Sequence, residues 1–154
     1  MFCVAQAKPG IIGGHACETV AGLGLIRASV ENPNGTSNLI LQGLARVRLV
    51  NFVQYKPFPV AQISELRSSV ENPVEADALG AKVLGICRSL KGKNGDLNTL
   101  LNQQAAHTAS PEAISDFVAQ AFVIDPAARQ EILEELCVCA RLRLLIAWLH
   151  EDAC

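Results

Sequence analysis

The hydrophobic period changes part-way along the chain, and that change limits the folds open to it. Up to about residue 72 apolar side chains tend to alternate with polar ones, the repeat of a pleated strand. From Pro73 onward they recur every three to four residues, the repeat of a helix. Sheet signals followed by helix signals, with no helix between the strands, argue for an α+β chain with an antiparallel sheet, curled or closed into a pseudo-barrel, and a C-terminal helical bundle. The boundary expected from the pattern puts residues 1–74 in the β unit and 75–154 in the bundle.

Five strands are predicted, over residues 2–7, 22–30, 37–42, 45–55 and 60–66. The fourth is the clearest. Val47 and Leu49 alternate with Arg46 and Arg48, so the apolar pair points inward and the arginines face water. Past Arg48 both faces carry apolar residues, which predicts a strand end covered on both sides. Glu31-Asn32-Pro33-Asn34-Gly35 is turn chemistry, because proline fixes φ and Asn-Gly tolerates positive φ. Lys56-Pro57-Phe58-Pro59 interrupts the sheet, since proline donates no ladder hydrogen bond.

In the second half, Leu79, Val83, Ile86 and Leu90 mark one face of a helix, and residues 91–96 are a polar break before a weaker helix at 97–106. Ser110-Pro111 and Asp125-Pro126 are both helix starts: a side-chain oxygen at the cap, then a proline that needs no N–H partner. Leu142, Leu145, Ile146 and Leu149 line a last helix, after a bend near Cys137–Cys139.

Several chemistries are excluded or disfavoured. The 154 residues are 50% hydrophobic and 18% charged, enough for a core without a stabilising metal or disulfide, and the net charge is −2. Residues 1–75 hold six Lys or Arg against five Asp or Glu, and the rest seven against ten; neither half is a basic footprint for nucleic acid. No phosphate-cradling loop or nucleophile elbow occurs, and His15, His107 and His150 form no suggestive local pattern with a nucleophile and a carboxylate. Cys137 and Cys139 are about 200° apart on a helix and would not share a metal; they read as buried thiols. Six scattered cysteines and no secretory signal point to free thiols in the cytoplasm. No apolar run approaches the ~20 residues that span a bilayer. The expectation is therefore a chain that is not an enzyme and carries no cofactor. Phe52, Tyr55 and Phe58 cluster at the interrupted strand, where they either meet an unfolded peptide or plug the end of the barrel.

The stretch Leu41-Gln42-Gly43-Leu44-Ala45-Arg46-Val47-Arg48 resembles the N-terminal substrate-binding domain of the Lon-type ATP-dependent proteases. Val20–Arg27 resembles the strand that precedes it in that family, and residues 114–119 and 126–134 resemble its helices. The likeness extends over about residues 1–150. It implies a PUA-like pseudo-barrel followed by helices, acting without catalysis to recognise or hold protein substrates or to mediate subunit contacts. It carries no ligand-contacting residue over. The family's opening strand has no counterpart here, so an unpaired sheet edge is expected, suited to pairing with a second copy or a protease subunit. The alternative is RNA binding, as PUA-like barrels allow, through Arg27, Arg46, Arg48 and Arg67 on one face.

Overall fold

The computed structural model describes residues 1–8, 16–89 and 110–151. The chain divides into two compact units, Met1–Arg67 and Ser68–Cys154.

In the first unit, β1 (Phe2–Val4), β2 (Val20–Glu31), β3 (Ser37–Gln54) and β4 (Val60–Leu66) form one antiparallel sheet in the order β1-β2-β3-β4. The predicted strands at 37–42 and 45–55 are a single strand. Leu23 stands opposite Ala45 and Gly24 opposite Gly43, so Leu44 is an extra residue on β3. That is a β-bulge, which interrupts the alternation as a turn would without reversing the chain. Gly24 has to be glycine here, since a Cβ would lie 2.7 Å from the Gln42 carbonyl oxygen.

Val47 is buried, Leu49 half-buried and Arg48 exposed, as the alternation predicts, whereas Arg46 is half-buried. Among the described residues the expected cover on both faces beyond Arg48 is incomplete, with Leu49 and Phe52 half-buried. Val50 and Val53 are the extra residues at two further register shifts, opposite β4, and both are exposed. Among the described residues only Val20, Ala21 and Val47 form the buried apolar centre of this unit.

β1 pairs with β2 at Gly22–Gly24 and β4 pairs with β3 over Arg46–Gln54. The remaining lengths, 25–31 of β2 and 37–42 of β3, make a two-stranded ribbon. Its turn is the one the sequence marks. Asn32 N–H donates to the Thr36 carbonyl at 2.7 Å, and Gly35 has φ +80°. Asn34 Oδ1 accepts from the backbone N–H of Thr36 (3.1 Å) and from its hydroxyl (2.7 Å).

The second unit holds α1 (Pro73–Ser89), α2 (Pro111–Phe122), α3 (Pro126–Glu134) and α4 (Val138–Glu151). The helix expected at 97–106 lies outside the described residues. Both cap devices operate: Ser110 Oγ accepts from Ala113 N–H at 3.2 Å and Asp125 Oδ2 from Ala128 N–H at 2.8 Å. On α1 the innermost stripe is Ala76, Gly80, Val83 and Cys87, with Leu79 and Ile86 beside it only partly buried. Small residues let helices approach closely, so the deepest line is not the one with the largest side chains. A cluster of twelve buried apolar residues, including Val118, Ile132, Leu142 and Leu145, joins all four helices.

One cation lies inside this core. Arg141, 0% exposed, donates from Nε to the Glu135 carbonyl (2.9 Å), from Nη2 to Ser68 Oγ (2.8 Å) and from Nη1 to Ser115 Oγ and Asp116 Oδ1 (both 3.3 Å). Glu112 adds a carboxylate at 3.8 Å. Burial of a charge is tolerated only with such partners. The segment leading into α1 is fixed in the same place: Ser69 N–H donates to the Leu136 carbonyl and Val138 N–H to the Ser69 carbonyl, both at 2.9 Å.

Candidate polypeptide-binding site

Phe52 lies near the end of β3, and Tyr55 and Phe58 follow in the connection to β4. The structure brings the first two together: their rings stack with centroids 5.6 Å apart and planes 28° from parallel. Phe58 stands three residues on, 62% exposed, and Tyr55 is 52% exposed. The Lys56–Pro57 peptide bond is cis, and Gln54 Nε2 donates to the Phe58 carbonyl at 3.1 Å, holding the connection against the strand end. A shallow cleft of about 270 Å³ lies against Phe52, walled by Ala16–Thr19 and by Leu49, Val50 and Asn51. Lys8 and Glu18 form an ion pair at its rim, 3.6 Å apart. Of the three rings Phe52 lines the cleft, and partly exposed aromatic rings of this kind favour contact with apolar groups.

The residues proposed for other chemistries are placed differently. Cys137 precedes α4 and Cys139 lies within its first turn, buried, its thiol 3.6 Å from the Asn72 carbonyl. Cys3, Cys17, Cys87, Cys137 and Cys139 are all free thiols. Burial pushes the Cys3 thiol pKa up. Among the described residues no group of three or more His, Cys, Asp or Glu side chains is placed to hold a metal ion. His150 is exposed on α4, and His15 and His107 lie outside the described residues. Of the four arginines, Arg27 bonds Gln42 Oε1 at 2.6 Å on the ribbon and Arg67 pairs with Glu65 at 3.4 Å. No helix among the described residues is long and apolar enough to cross a membrane.

The family model of the ATP-dependent protease La (Lon) substrate-binding domain matches residues 1–151. The chain belongs to this family. Its fold is similar to the N-terminal domain of the Lon protease from the Mycobacterium avium complex, with a TM-score of 0.70 at 18% identity, over 90% of this chain and 73% of that one. In sequence it is similar to the Lon protease of Dictyoglomus thermophilum, 26% identical over 133 residues, and to Lon protease 2 of Myxococcus xanthus, 29% identical over 148 residues. Those matches cover 86% and 94% of this chain but 17% of each relative, so the chain spans about one sixth of their length. The Lon substrate-binding family thus accounts for the sheet-then-helix order, while the relatives described lend no support to an RNA-binding role.

The sequence did not reveal the cleft beside Phe52, because Ala16–Thr19 and Leu49–Phe52 come together only through pairing, with Leu49 N–H donating to the Thr19 carbonyl at 2.7 Å. Arg141 is a buried charge that composition alone does not mark. Its signal is its spacing, three residues after Val138 and four before Leu145, on the buried stripe of α4.

Proposed function

We propose that the chain is a non-catalytic protein-binding module that holds unfolded or substrate polypeptide, with Phe52, Tyr55 and Phe58 as contact residues. Family membership supports the general role. The observation that carries the site is the stacked Phe52–Tyr55 pair, with Phe52 against the cleft and Tyr55 and Phe58 both more than half exposed, since aromatic side chains are enriched among the residues that dominate binding energy. The two units act together as one Lon-type recognition element in the cytoplasm. Contact with a protease subunit is a second use of the same role.

The test is the binding of reduced, carboxymethylated lactalbumin, fluorescently labelled, to the intact chain and to a Phe52→Ala/Tyr55→Ala/Phe58→Ala variant. The expected result is affinity at least about tenfold weaker in the variant. Equal affinity removes the rings from the site, and no binding by the intact chain overturns the role.

A further inference from the structure

The strand lane on the outer side of β3 is filled for only part of its length. β4 occupies it opposite Arg46–Gln54, its last register partner being Leu66 opposite Arg46. Opposite Ser37–Gly43 no described strand lies in that lane. In an antiparallel ladder successive residues turn their N–H and C=O alternately toward one neighbour and the other, so about three of these seven residues present both groups outward. All seven are exposed, Ile40 by 65%.

Strand edges of this kind are usually blunted by charge, proline or a bulge. The other free edges among the described strands are short or blunted, β1 having only three residues. The outer side of β2 beyond Gly24 has an extra residue at Arg27 and ends on Glu31, and β4 follows Pro59 and carries Glu65. Ser-Asn-Leu-Ile-Leu-Gln-Gly has no charge, no proline and no extra residue within it.

We propose that the outer edge of β3 over Ser37–Gly43 captures an extended, uncharged stretch of an unfolded polypeptide as an added strand, in line with β4. This deepens the protein-binding reading above and rests on it. The edge itself names the occupant, because a row of alternating donors and acceptors is matched by an extended main chain and by little else. Leu39 and Leu41 on one face and Ile40 on the other then favour apolar side chains in the captured segment. A second copy fits less well. Pairing edge to edge over the whole stretch would bring its own turn, Asn32–Thr36, opposite Leu44–Arg46, in the lane that Leu66 already holds. A free segment has no such turn.

Hydrogen exchange of the intact chain is followed with and without a capped peptide of alternating valine and threonine. Added peptide is expected to slow exchange in 37–43. The same peptide N-methylated along its backbone keeps its side chains but loses its donors, and it is expected to bind about fivefold more weakly for each hydrogen bond lost. Ile40→Lys, at an exposed position, is expected to weaken capture, whereas Ile40→Thr retains it. Equal binding of the methylated peptide, or slowed exchange confined to residues 52–58, overturns the edge site and leaves the protein-binding reading intact. If neither the peptide nor unfolded lactalbumin binds, that reading falls as well. Slow exchange in 37–43 that depends on protein concentration without peptide overturns the proposal in favour of self-pairing.

Discussion

The two units hold together by different means. In the helical unit, twelve apolar residues form one buried cluster around an enclosed arginine. In the sheet unit, the buried apolar centre among the described residues is Val20, Ala21 and Val47, and long stretches of β2 and β3 lie in water on both faces. The helices depend on side-chain packing. The sheet depends on its backbone ladder and on residues that fix its register, such as Gly24 and the Asn32–Thr36 turn. Both binding surfaces proposed above are in the unit with the smaller core, where exposed apolar groups and, among the described residues, a strand edge with no strand beside it remain for a partner.

Substitutions can break or sharpen this contrast. The largest effect is expected in the bundle: Leu142→Ala leaves a cavity and costs about 3–4 kcal/mol in chemical denaturation. Arg141→Ala follows at about 3 kcal/mol, since Ser115 and the Glu135 carbonyl lose their buried donor; a loss below about 1 kcal/mol would show that Arg141 is not structural. In the sheet, Gly24→Ala forces a Cβ against the Gln42 carbonyl and is expected to cost about 2 kcal/mol. A larger loss than that of Leu142→Ala would reverse the contrast. Ile40→Lys, exposed on the ribbon, is expected to change stability by less than about 0.5 kcal/mol. Thiol chemistry gives the smallest signal. Burial disfavours the Cys3 thiolate, so its alkylation should accelerate only at higher pH than that of a free cysteine. Cys87 and Cys139, buried in the bundle, should stay unmodified until it unfolds.

Much of this architecture is legible in the sequence, because alternation and cap chemistry are local. The change of period at Pro73 coincides with the start of α1, and the Ser110 and Asp125 caps form as their dipeptides predict. What is hidden depends on partners far along the chain. A bulge at Leu44 gives the same break in alternation as a turn, and only the register against Leu23 and Gly24 separates the two. The line Ala76, Gly80, Val83 and Cys87 is deeper than the Leu79–Ile86 line because of what packs against it, and side-chain size pointed to the latter. Of the candidate site, the cluster of Phe52, Tyr55 and Phe58 was visible as composition. The stacking of the first two, and the cleft beside them, needed β3 to meet the segment at Ala16–Thr19.

The ribbon's turn also bears on how the protein ages. Asparagine followed by glycine is prone to lose ammonia: the glycine nitrogen closes a ring onto the asparagine side chain, and hydrolysis leaves an acidic residue. Here the Gly35 nitrogen donates to the Asn32 carbonyl at 3.0 Å, and the Asn34 amide oxygen holds two donors from Thr36. Ring closure needs the Gly35 nitrogen to lose its proton and reach the Asn34 side-chain carbon, so the bond holding Gly35 N–H on the Asn32 carbonyl slows it, and each excursion that opens the hairpin exposes Asn34 to a slow, irreversible gain of negative charge close to the uncharged strand beside it.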